Sequence, residues 1–305
     1  MPMCSFRLRE KLTSGVAGQL FFHEPLSRHT SWKVGGPAEI LFYPESIEAL
    51  KLAVLMAREE KVPVTLLGNG TNVLVSDKGL EGLTVKLRNL RQLEVQGNCI
   101  IAEPGVSLPE LSRVAQQHNL SGLEFAVGIP ASVGGAVAGN AGAHGSSMKD
   151  IVVSVLAMDY EGLSHLFGVE ELGFGYRSSL FKDRQFIVLE ARMALATLPG
   201  EEIKKKMEHY LDLRRQSQPV GLATAGSVFV NPASAPAGYL IERAGLKGAR
   251  EGGAQVSTKH ANFIVNIDRA TADDIMRLIR RIQESVFSKF KVRLETEIKF
   301  LGELP

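Results

Sequence analysis

The chain has 305 residues, a length that suits two domains. Hydrophobic residues make up 45% and charged residues 22%, which excludes a disordered or collagen-like chain. The formal net charge of +2 is too balanced for a general nucleic-acid binder, which carries a basic stripe.

The first twelve residues, MPMCSFRLREKL, alternate charge and lack an apolar core, so no signal peptide is expected. No run approaches the ~18 uncharged apolar residues of a membrane span. Cys4 and Cys99 have neither disulfide-framework nor zinc-ligand spacing, and the reading is a cytoplasmic protein in a reducing compartment. Residues 46–60 read as a helix capped by Ser46. Residues 62–67 read as a buried strand that ends at Gly68-Asn69-Gly70, followed by short strands at 83–87 and 99–103. Ser107 and Glu110 signal a capping box that opens a helix running to about His118. Glycine is enriched to 30 residues, about one in ten against a typical ~7%. Six of these glycines lie within 128–145, a stretch that reads as too glycine-rich for a regular element.

Strands follow at 151–160 and 186–196, then a charged amphipathic helix at 201–217 that stops before Pro219. Lys204-Lys205-Lys206 fits the solvated face of that helix. The remaining elements are a strand at 227–230, a helix at 237–244 ending in Gly245, a strand at 261–266, a long helix at 272–289 and a strand at 292–301. The change of character predicts a domain boundary near residue 199 and an α+β class with mixed sheets.

Several catalytic motifs are missing. There is no G-x-G-x-x-G, no G-x-x-x-x-G-K-[ST], no G-x-S-x-G and no H-E-x-x-H, and the seven histidines are scattered. No metal site is expected. Two strings remain. In Leu67-Gly68-Asn69-Gly70-Thr71-Asn72, the glycines allow a sharp turn that points several N–H groups into one concavity, a nest for an anion such as a pyrophosphate. A tight strand-to-strand turn is the alternative. In residues 127–145 nearly every side chain is small, so backbone can lie against a large planar ligand, or helices can pack closely.

These two strings, in this order, resemble the flavin-binding region of the vanillyl-alcohol-oxidase/PCMH-type flavoproteins. The narrower resemblance is to the MurB family, the UDP-N-acetylenolpyruvoylglucosamine reductases. It rests on six further strings, residues 29–38, 174–181, 225–232, Gly252-Gly253-Ala254, 260–266 and 294–299, in order with the glycine strings. The resemblance implies a PCMH/VAO-type FAD-binding domain of two α/β subdomains over 1–198 (about 20–90 and 91–198). An α+β substrate-binding domain would follow over 199–305.

The resemblance implies non-covalent FAD, NADPH as co-substrate and a UDP-linked enolpyruvyl substrate of peptidoglycan synthesis. It implies that Gly68, Asn69, Gly70, Thr71 and Asn72 hold the FAD pyrophosphate. Pro130, Ser132, Gly135, Ala136, Asn140 and Gly142 would line the flavin and adenosine. Ser227 would be the proton donor, with Arg177 and Glu297 stabilising the charge that develops on the substrate carboxylate. Tyr176, Asn231, Lys247 and Lys299 would contact substrate. Three positions depart from the family pattern. Lys299 stands where arginine is common, and Ala131 where glycine is usual. Val230 stands where relatives carry Lys, Arg or Gln, so that Lys247 or Arg214 would have to supply the charge facing the diphosphate. The length resembles the family's shorter subtype. No nucleic acid or membrane partner is expected, and a monomer is compatible with the sequence. The competing expectation is an FAD oxidase of the wider superfamily acting on a sugar or lactone.

Overall fold

The computed structural model describes residues 3–183 and 186–304. It divides into two compact units. The first comprises the chain up to Phe21, Ile40–Asn69 and Gly82–Leu213; the second comprises Phe22–Glu39, Gly70–Glu81 and Arg214 onward.

The first unit opens with a helix that charge alternation hid, α1 (Met3–Gly15). Its Leu8 and Leu12, one turn apart, are fully buried. Helix α2 (Ile47–Glu59) begins where Ser46 Oγ accepts from Ala49 N at 3.1 Å. A four-stranded sheet runs in the order Gly18–Pro25, Pro37–Pro44, Leu80–Val85, Val64–Leu66. Its last pair is parallel, with Val64 opposite Leu83. The strand expected at 62–67 is thus trimmed by Pro63, which has no N–H for a ladder. Helix α3 (Leu108–Gln117) is capped by Ser107, whose side chain accepts from Glu110 N.

Residues 128–145 do contain a regular element, the short helix α4 (Val133–Ala138). This corrects the expectation of an irregular stretch. The physical reason is packing: Val133, Ala136 and Val137 are fully buried, and a Cβ at Gly134 would meet Pro104 Cβ at 2.8 Å. The second sheet has five antiparallel strands in the order Ser164–Gly168, Val152–Asp159, Phe186–Ala194, Cys99–Ala102, Leu93–Gln96. Its apolar face and the small residues of α4 share one core. Helix α5 (Gly200–Ser217) buries Ile203 and Met207, and its Tyr210 packs on that core. The compact first unit therefore runs to Leu213, one helix beyond the boundary predicted near 199.

The second unit contains α6 (Ala237–Arg243) and α7 (Ala272–Phe290). Thr271 and Asp274 form a reciprocal capping box at the start of α7. A three-stranded sheet, Arg250–Glu251, Ala254–Val256 and Ile264–Asn266, packs with these helices. Lys299–Leu301 pairs in parallel with Val73–Val75, and the buried Trp32 donates Nε1–H to Ile264 O at 2.8 Å. The 70–81 and 22–39 excursions thus pack in the core of the C-terminal segment, which local sequence signals did not disclose. The strand expected at 227–230 is instead a pair of single-residue bridges, Ser227 to Phe263 and Phe229 to Thr296. The strand expected at 292–301 is confined to its last three residues.

Candidate active site

The 68–72 loop follows the strand Val64–Leu66. Among the described residues, the backbone N–H groups of Gly68 to Asn72 donate to no protein acceptor. Open donors of this kind are compatible with both readings of the loop, anion nest and tight turn. Gly70 itself has a different explanation. Its φ is +69°, and a Cβ there would collide with the His29 carbonyl. Asn69 Nδ2 donates to Pro130 O at 3.0 Å, so Asn69 and the start of the glycine-rich segment are tied within the first unit.

The glycine-rich segment divides into two functional halves. Near its start, Gly135 is exposed and the side chain of Ser132 makes no capping bond. Ala136, by contrast, points into the core. Towards its end, the side chains and carbonyls are used by the protein itself. Asn140 is 7% exposed; its Nδ2 donates to Gly175 O at 2.8 Å, and its Oδ1 accepts from Lys149 N at 3.0 Å. Gly142 O accepts from both terminal nitrogens of Arg177, each at 3.3 Å. A Cβ at Gly142 would meet Ser147 Cβ at 2.8 Å.

Arg177 occupies a tight turn in which Gly175 and Ser178 bond each other in both directions. Its φ is +53°, a sparsely populated region for a non-glycine residue. Tyr176 is 61% exposed, and the Arg177 guanidinium carbon lies 5.4 Å from its ring centroid. Arg177 and Tyr176 belong to the first unit; Ser227, Glu297, Asn231, Lys247 and Lys299 belong to the second.

In the second unit Gly226, at φ +78°, turns the chain before Ser227. Glu297 N donates to Val228 O at 2.8 Å, so the Ser227 and Glu297 segments run side by side. Asn72 joins them: its Nδ2 donates to Glu297 O at 3.3 Å, and its carbonyl accepts from Lys299 N at 3.0 Å. Four of the residues singled out from the sequence are therefore clustered here. Among the described residues the Ser227 hydroxyl has no hydrogen-bond partner. Glu295 is exposed and lies beside Val230, whose N–H donates to its carbonyl.

Two further residues have partners within the protein. Asn231 Oδ1 accepts from Ala237 N at 2.9 Å, at the start of α6. Lys247 pairs with Glu242 at 2.8 Å. Arg214, in the last turn of α5, has no such partner among the described residues, and burial lowers its pKa from the usual guanidinium value. His260 was not singled out from the sequence. Burial, helped by the charge of Lys247, holds its imidazole below the ordinary histidine range. Its Nδ1 accepts from Asn262 N, which leaves Nε2–H as a donor in the neutral ring. Only its spacing within residues 260–266 marked it in the sequence, and spacing carries no information on burial.

Comparison with known proteins identifies the family. Residues 218–301 match the family model described as "UDP-N-acetylenolpyruvoylglucosamine reductase, C-terminal domain". Residues 38–166 match that described as "FAD binding domain". The UDP-N-acetylenolpyruvoylglucosamine reductase of Caldanaerobacter subterraneus subsp. tengcongensis is 48% identical over 286 residues, which is 94% of this chain and 95% of the relative. That of Carboxydothermus hydrogenoformans is 43% identical over 298 residues, covering 97% of this chain and 99% of the relative. The crystal structure of the MurB reductase from Thermus caldophilus superimposes with a TM-score of 0.81 at 37% identity, covering 94% of this chain and 99% of that one. A glucose oxidase variant of Phl p 4, at 13% identity and a TM-score of 0.51, shares the fold alone. With both domain models matched in order and relatives alike over nearly their whole length, the chain belongs to the UDP-N-acetylenolpyruvoylglucosamine reductase family.

Proposed function

We propose that the chain reduces UDP-N-acetylglucosamine enolpyruvate to UDP-N-acetylmuramate, a step of peptidoglycan precursor synthesis in the cytoplasm, with NADPH as reductant and FAD as a non-covalent cofactor. The residues fit the cofactor. The free N–H donors of Gly68, Asn69, Gly70, Thr71 and Asn72 suit its pyrophosphate, and the exposed Pro130 and Gly135 offer small, open surface to its rings, with the buried Ser132 between them. Ala136 and Gly142 support that surface from behind, since their own groups are engaged by the protein, whereas both ends of the Asn140 amide serve the protein itself. Bound FAD would carry hydride from NADPH to the terminal vinyl carbon of the substrate.

The chain's own residues handle the charge and the proton. Arg177 faces the carboxylate of the enolpyruvyl group and stabilises the negative charge that grows there, a task suited to a guanidinium fork. Glu297 lies beside that charge as a hydrogen-bonding partner. Ser227 delivers a proton to the carbon next to the carboxylate. A serine hydroxyl is a weak acid, but the carbanion-like acceptor makes the transfer downhill, and water completes the proton balance. The observation that carries this reading is the Ser227 hydroxyl: unpartnered among the described residues and set beside the Glu297 segment. Lys299, Tyr176 and Asn231 contact the substrate. With Lys247 already paired, Arg214 is the cation available to the diphosphate in place of the residue that Val230 lacks. Ser227→Ala tests the reading. Flavin reduction by NADPH should be unchanged, while reoxidation by the enolpyruvyl substrate should fall by about 10²–10⁴-fold. Equal loss in both half-reactions would overturn the role of Ser227.

A further inference from the structure

We propose that Asn140 is a positioning residue for Arg177, braced from outside by a ring stack between His144 and Tyr210. This rests on the role of Arg177 given above. The turn Gly175–Ser178 is closed by two backbone bonds, at 3.0 and 3.4 Å, and it holds Arg177 at φ +53°. A residue in that region persists only where its surroundings over-determine it. Asn140 supplies one such determinant. Its amide is buried with both ends used: Nδ2–H to Gly175 O and Oδ1 from Lys149 N. Replacing it with alanine leaves the Gly175 carbonyl and the Lys149 N–H without these partners. Ser179 Oγ, donating to Ala138 O at 2.9 Å, ties the far side of the turn to the same segment.

The guanidinium has its own anchor. Both its terminal nitrogens donate to Gly142 O, so the place of that carbonyl sets the place of the charge. Gly142 lies in a hairpin where Gly142 and Ala143 pair with Ser147 and Ser146. The hairpin turns at His144 and Gly145, both at positive φ. The His144 ring lies flat on Tyr210, with centroids 4.0 Å apart and planes within 2°. Tyr210 stands on α5 and packs on the core of the first unit. Lys206 flanks the stack, 6.0 Å from the Tyr210 centroid, and its Nζ reaches the buried Glu124 at 3.5 Å. A rigid helix is thus connected through stacked rings and one hairpin to the carbonyl that holds Arg177. Small residues between 138 and 145 serve this connection, which differs from the cofactor contact that the family resemblance implied for Asn140.

The test uses the FAD-loaded full chain and reads the two half-reactions separately. Asn140→Ala should retain flavin and keep its rate of reduction by NADPH. Its rate of reoxidation by the enolpyruvyl substrate should drop about 10–100-fold, the effect of a misplacement near 1 Å. Backbone hydrogen exchange across residues 174–181 should quicken. In an Arg177→Lys background, Asn140→Ala should add little further loss, because both changes act on one group. His144→Ala should lower the same half-reaction, and His144→Phe, which preserves the stack, should restore it. Loss of flavin from Asn140→Ala, equal slowing of both half-reactions, or full additivity with Arg177→Lys would overturn the proposal. If Asn140→Ala fails to fold, the His144→Ala and His144→Phe pair decides, and equal rates for the two contradict it. An Arg177→Lys variant that reoxidises normally would instead overturn the role of Arg177 itself.

Discussion

Lys86 follows the strand Leu80–Val85 and is only 6% exposed. Burial, with the charge of Arg88 beside it, brings its pKa down from 10.5 to about 8. Between pH 8 and 10.5 the unfolded chain therefore binds more protons at this residue than the folded chain, and stability rises with pH across that window. Below pH 8 the folded state carries that charge, with burial opposing it. Lys86→Met should raise Tm at pH 7 and remove most of the rise between pH 8 and 10.5, read by thermal unfolding along a pH series. An unchanged slope would show that Lys86 does not titrate in this window. At this scale the sequence was informative about identity and less so about purpose. Ser227, Glu297, Asn72 and Lys299 were all singled out, and they do cluster. Gly70 was assigned to an anion nest, yet the His29 carbonyl alone already demands a glycine there. Asn140 was placed at the cofactor by the family resemblance, and both ends of its amide are bonded within the protein. A one-dimensional pattern of small residues does not distinguish close approach to a ligand from close approach to backbone.

Helices with caps were legible because their signals are local. Ser46 and Ser107 accept the bonds that their positions implied, and α7 gained the capping box that Thr271 and Asp274 spell out. Burial raises the pKa of the Asp274 carboxyl, but bonds from Thr271, Gly253 and the charge of Arg277 outweigh it and hold the group below the usual range. Pairings between distant segments left no local trace. The bridges from Ser227 to Phe263 and from Phe229 to Thr296 depend on partners dozens of residues away, so a continuous strand was expected where single-residue bridges stand. The glycines of α4 similarly concealed a helix whose stability comes from Pro104 and the core rather than from propensity. Helix α5 gives a quantitative case. Ile203 is buried, so Ile203→Ala should destabilise the protein by about 2–5 kcal/mol in denaturant unfolding. A loss below about 0.5 kcal/mol, the range of surface changes, would mean that α5 does not complete that core.

On the scale of the molecule, the division into two units is discontinuous in sequence. The second unit takes Phe22–Glu39 and Gly70–Glu81 from within the span of the first. Composition and linker signals report where a chain changes character, and neither excursion is bounded by a linker. The resemblance of motif strings supplied what periodicity lacked, since it carries the order of sites irrespective of which unit holds them. Arg177 from one unit, with Ser227 and Glu297 from the other, was read as one catalytic set on that ground. Among the described residues no helix is long and apolar enough to cross a membrane. The central claim is that this chain passes reducing equivalents from NADPH to an enolpyruvyl ether of a UDP-sugar. Stopped-flow absorbance of the FAD-loaded protein tests it most directly. Mixing with NADPH should bleach the oxidised flavin band, and a second mix with UDP-N-acetylglucosamine enolpyruvate, without oxygen, should restore it with formation of UDP-N-acetylmuramate. A flavin that NADPH reduces but the enolpyruvyl substrate leaves reduced would contradict the account.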